Sequence, residues 1–67
     1  MSETKEWSEL VGQTFEAASQ IILQFDSILK PYNARNGIQN EKFDPNRVVC
    51  VTNNDDIVIE VPSYTYP

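Results

Sequence analysis

The stretch from Ala34 to Asp44 carries Arg, Asn, Gly, Gln, Asn, Glu and Lys, with Ile38 and Phe43 as its only large apolar side chains. It is too polar to bury and too long for an ordinary connection, so it is either functional or disordered. The chain contains no histidine, and its carboxylates have no apolar pocket to tune them, so a general acid/base enzyme is not expected. Cys50 is the one cysteine, which excludes an internal disulfide; without histidine a Cys/His metal site is excluded too. Asn53-Asn54-Asp55-Asp56 lacks the spaced carboxylates, central glycine and distal glutamate of a calcium loop and reads as a tight turn. Neither a cofactor nor a metal is expected.

Length and charge narrow the partners. A chain of 67 residues makes one domain, expected over 1–67, and at this size hides only ~60% of its unfolded surface. The formal charge of -5, from ten acidic and five basic side chains, repels nucleic acid and anionic membranes. Proteins are the expected partners. No apolar run reaches the length of a membrane span, and Met1-Ser2-Glu3-Thr4-Lys5 lacks the apolar segment of a signal peptide. The chain therefore reads as soluble, either cytosolic or the mature form of a secreted protein.

The elements around the polar stretch must position it. Thr14 can cap a helix and Glu16 suits its first turn; Phe15, Ala18, Ile22, Phe25 and Leu29 then recur at three- or four-residue steps, predicting a helix over about Phe15 to Phe25. Trp7, Leu10 and Val11 precede it with too few residues for another long helix and are expected to fold back as a lid. Arg47 to Thr52 is β-branched and reads as a strand, Asn53 to Asp56 as a turn, and Ile57 to Val61 as the next strand, ended by Pro62. Alternation along the first of these aims Val48 and Cys50 at the helix, so Cys50 reads as a small buried hydrophobe. An earlier strand is expected near Ile28 to Asn33, despite Pro31. Tyr64-Thr65-Tyr66-Pro67 forms a tail that either frays or covers the sheet edge.

Three landmarks fall in a familiar order. Glu6-Trp7-Ser8-Glu9-Leu10-Val11-Gly12, Phe43-Asp44-Pro45-Asn46-Arg47-Val48 and Glu60-Val61-Pro62 together resemble the potato inhibitor I family of serine-protease inhibitors, which includes the barley chymotrypsin inhibitors and eglin. The resemblance covers about residues 5 to 62. It implies an α+β fold, with a single helix packed on a small mixed β-sheet and a long exposed protease-binding loop over about 34–45. It also implies a monomer whose partner is a serine endopeptidase.

In that family the loop enters the protease cleft like a substrate, and its peptide bond is cut slowly and readily re-formed. Rigidity before binding is what this requires. The family supplies it with two arginines, two residues apart on the following strand, that hydrogen-bond beside the scissile bond; Arg47 matches the first, while Val49 stands at the second and cannot donate. Counting back from Asn46-Arg47-Val48 puts the primary specificity residue at Glu41 and the reactive bond at Glu41–Lys42, flanked by Gln39 and Asn40 before it and Phe43 and Asp44 after it. Asn40 stands where threonine is usual. Lys42 replaces the usual acid and would repel Arg47, leaving Asp44 or Glu41 to pair with it. Matching Gly37 to the family's loop glycine shifts the bond to Lys42–Phe43 instead. Glutamate suits glutamyl-selective proteases or tolerant subtilisin- or chymotrypsin-like enzymes and opposes the acidic pocket of trypsin; lysine reverses that. The alternative function is a non-inhibitory protein-interaction module on the same scaffold.

Overall fold

The structure, a computed structural model, describes residues 3–40 and 44–65. The predicted helix α1 spans Phe15–Phe25, and its capping residue Thr14 accepts a hydrogen bond from the Ala17 N–H at 3.2 Å. The Phe15 N–H, which helix geometry leaves unpaired, goes to the Asp56 carbonyl at 2.8 Å. Ala18 and Ile22 are fully buried on the predicted face. Phe25 is 47% exposed, yet its ring meets Trp7 edge-on at 5.6 Å.

Among the described residues four strands accompany the helix: β1 (Thr4–Glu6), β2 (Lys30–Arg35), β3 (Arg47–Thr52) and β4 (Ser63–Thr65). They form two pairs, β2 parallel to β3 and β1 antiparallel to β4. The helix packs over them to make a core of Trp7, Leu10, Ala18, Ile22, Leu29, Val48, Cys50, Val58 and Tyr64. Burying a side chain such as Ile22 or Val48 contributes about 1.5–3 kcal/mol, so this one cluster dominates the favourable side of folding. β3 alternates as expected, with Val48, Cys50 and Thr52 buried and Arg47, Val49 and Val51 half-buried on the opposite face.

Three expectations need correction. β2 starts later than Ile28 because the Asp26 side chain accepts from the Ile28 N–H and the Asp26 carbonyl from the Leu29 N–H, holding those residues in a turn. Pro31 is tolerated because Lys30 and Asn36 donate to Asn46 and Thr52, so even-numbered N–H groups face β3 and position 31 needs no donor there. Ile57 to Val61 is no continuous strand. It makes isolated bridges, Thr14 with Ile57 and Thr52 with Val58, because Val58 exchanges hydrogen bonds with Gly12 and Gln13 while Ile59 donates to Val51. Finally, Trp7 and Leu10 close the core but Val11 is 44% exposed. Between them lies a short 3-10 helix, Ser8–Leu10, whose three-residue repeat puts Leu10 on the side of Trp7 and Val11 on the side of Ser8.

The tail covers rather than frays as far as Thr65: Tyr64 pairs with Lys5 in the β1–β4 register and its side chain joins the core. Tyr66 and Pro67 lie outside the described residues.

Candidate functional site

The polar stretch leaves β2 at a tight turn. Asn36 (φ 57°) and Gly37 (φ 80°) both take the left-handed conformation, which suits asparagine and glycine best. The Asn36 N–H donates to the Thr52 carbonyl at 2.7 Å, the Gly37 N–H to Ala34 and the Ile38 N–H to Arg35. Side chains reinforce this foot of the loop. Asn36 Nδ2 donates to Asn54 Oδ1 at 2.9 Å, and Asn33 Nδ2 and Arg35 Nε each donate to Asp56 Oδ1 at 3.1 Å. The Arg35 guanidinium is the main reason the Asp56 carboxyl is held below its ordinary value, helped by the Asn33 amide. Asn53-Asn54-Asp55-Asp56 is thus the expected turn. It serves as the anchor for the loop's first foot.

The second foot is built on Asp44-Pro45-Asn46-Arg47. The Asp44 carbonyl accepts from the Arg47 N–H at 3.1 Å, and Asp44 Oδ1 accepts from the Asn46 N–H at 2.9 Å, a turn that aspartate at the first position and proline at the second both favour. The Asn46 N–H is the chief cause that lowers the Asp44 carboxyl, with Lys30, 3.4 Å away, adding to it. Lys30, rather than Arg47, is therefore the ion-pair partner of Asp44. From below, the Tyr64 hydroxyl donates to Asn46 Oδ1 at 3.3 Å.

Between the feet, Arg47 reaches back along the loop. Its Nη2 donates to Asn40 Oδ1 at 2.9 Å, and its guanidinium carbon sits 4.3 Å from the centre of the Tyr32 ring. The Tyr32 hydroxyl in turn accepts from the Asn40 N–H at 2.9 Å. Val49 lies beside Tyr32 in the strand register and offers no polar group. Gln39 and Asn40 are exposed, as is Ile38 at 72%. Glu41, Lys42 and Phe43, the expected reactive bond and its neighbour, lie outside the described residues, so the structure brings together Asn40, Asp44 and Arg47 of the expected set.

Sequence reasoning missed Tyr32 and Tyr64 as loop contacts. The parallel register puts Tyr32 on the face of Arg47, and the β1–β4 pairing carries Tyr64 under Asn46. Neither pairing is written in local periodicity. Cys50 is buried, with its thiol pushed up to about 11 by desolvation, which fits a packing role. Among the described residues no cluster of carboxylate, cysteine or histidine side chains could hold a metal ion.

A family model for the potato inhibitor I family matches residues 1–65. The crystal structure of bitter gourd trypsin inhibitor is similar, with a TM-score of 0.77 and 25% identity over 92% of this chain and 94% of that one. No curated protein sequence matches significantly.

Proposed function

The chain belongs to the potato inhibitor I family and is a serine-protease inhibitor rather than an enzyme; from that premise we propose that it inhibits by the substrate-like route through the loop at about 34–45, with Glu41–Lys42 as the reactive bond. The observation that carries this reading is the return of Arg47 to Asn40. It ties the strand after the bond to the residue before it. Were the bond cut, Asn40 would stay held by Arg47 while the Asp44 turn held the other new end, and ends kept in place favour re-forming the bond. Asp44 and Pro45 fix the exit, and Asn36 and Gly37 fix the approach. A loop ordered before binding loses little entropy on association, which is where such an inhibitor gains affinity.

Glu41 as specificity residue suits glutamyl-selective or tolerant subtilisin- or chymotrypsin-like endopeptidases. A second reading moves the bond to Lys42–Phe43. It is favoured by the similarity to an inhibitor of trypsin, whose acidic pocket takes a lysine. The loss of a second arginine at Val49 favours a third, in which the scaffold binds proteins without inhibiting. Inhibition constants against a glutamyl endopeptidase, subtilisin, chymotrypsin, elastase and trypsin separate these outcomes. The glutamyl enzyme or subtilisin at the head of the ranking supports Glu41, trypsin at the head supports Lys42, and no inhibition of any of them overturns the inhibitory loop.

A further inference from the structure

The face of the β2–β3 pair that looks toward the loop carries Arg47 and Val49 and, from β2, Tyr32 and Lys30, the last of these engaged with Asp44 at the loop exit. Val49 is apolar, so Arg47 is the only residue of β3's first three that can donate to the loop from that face. Directly beside Val49 stands Tyr32, half-buried and fixed by the parallel ladder. Its hydroxyl accepts the Asn40 N–H at 2.9 Å, and its ring lies 4.3 Å from the Arg47 guanidinium carbon. We infer that Tyr32 is a positioning residue of the inhibitory loop, filling the supporting place that Val49 leaves open: its hydroxyl holds the backbone at Asn40, and its ring aims the arginine that holds the side chain of the same residue.

Three features make Tyr32 suited to this role. A guanidinium over an aromatic face is attracted to it, so the long Arg47 side chain loses fewer alternatives when it reaches Asn40. A tyrosine hydroxyl on a strand is more rigidly placed than a lysine or arginine head, because two side-chain torsions carry it. The group it holds is a backbone N–H, which every residue except proline supplies, so the brace does not depend on the asparagine side chain. Asn40 is thereby engaged twice from the body of the protein, through its N–H by Tyr32 and through its Oδ1 by Arg47. A protease that takes an extended segment as an added strand pairs with alternate backbone groups, so the brace persists in the complex where the Asn40 N–H is one of the groups left facing inward.

This inference rests on the inhibitory reading of the loop for its role in function, but the brace itself is measurable in the free protein. The test is Tyr32→Phe, which removes the hydroxyl and keeps the ring, read by amide hydrogen exchange of the whole chain and by the rate at which an inhibited protease cleaves the loop. The expected result is exchange at Asn40 faster by roughly 2- to 10-fold, the range of one net hydrogen bond, with exchange in α1 and β3 unchanged. Loop cleavage rises by a similar factor while the inhibition constant changes less. Adding Val49→Arg to Tyr32→Phe slows cleavage again. Unchanged exchange at Asn40 overturns the inference, as does faster exchange spread evenly over the chain, which would report lost stability instead. Faster exchange at Asn40 alone, in a protein that inhibits no protease, supports the brace and refutes the inhibitory reading.

Discussion

Arg47 is the residue on which the proposed mechanism turns, because it joins the strand after the bond to Asn40 before it. Arg47→Ala should leave the fold standing, since the side chain lies on the face away from the core cluster. It should speed loop cleavage by roughly 5- to 10-fold, as expected for losing one charge-assisted hydrogen bond at a partly exposed site; cleavage time courses against an inhibited protease check this. Glu41→Leu should tighten binding to chymotrypsin- or subtilisin-like enzymes by about 2 kcal/mol or more, since an apolar side chain replaces a carboxylate that their pockets leave unpaired. If Lys42→Leu improves inhibition more than Glu41→Leu does, the bond lies at Lys42–Phe43. Arg47 was legible in the sequence because a local motif, Asn46-Arg47-Val48, marks it. Tyr32 was not, since a tyrosine three residues into a poorly alternating strand gains its role only from the parallel register with β3. The pairing of Asp44 with Lys30 was hidden for the same reason: Lys30 arrives beside the loop exit through strand pairing between Lys30 and Arg47.

At the scale of elements, the helix and β3 were plain from their periodicities, which match the observed Phe15–Phe25 and Arg47–Thr52 spans. The segment after the Asn53 turn was harder. Ile57-Val58-Ile59 has strand composition, but its hydrogen bonds are divided between the Gly12–Gln13 stretch and the end of β3, and composition cannot show how a chain divides its partners. Thr14→Ala should destabilise the protein by about 1 kcal/mol by freeing the Ala17 N–H. Urea unfolding should show a lower midpoint with an unchanged slope. The same substitution should leave the loop's rate of cleavage nearly unaltered at temperatures where the protein stays folded, because the cap lies among the elements that carry the core and not in either foot of the loop.

Over the whole molecule, the two feet of the loop share one design, a carboxylate bound by backbone or basic groups at a turn. Asp44 and Asp56 both titrate below their ordinary value of 3.8 in the folded protein, so each stabilises the native state above that pH and loses its contribution as pH falls through the lower folded value. Stability measured by urea unfolding should therefore be level from neutrality to about pH 4 and fall below it, and Asp44→Asn should make the acid limb shallower. Cys50 adds no redox switch: buried and with a raised thiol pKa, it should react with a thiol reagent only on unfolding. On the proposed mechanism, a loop held at both feet and braced at Asn40 should be cut at one bond and remain an inhibitor. The most direct measurement is mass spectrometry of the protein during prolonged incubation with a protease it inhibits. A single nick at Glu41–Lys42 that stops at a mixture of cut and intact protein, with inhibition retained, is the result expected. Cleavage scattered from Ala34 to Asp44 that runs to completion and abolishes inhibition would contradict it.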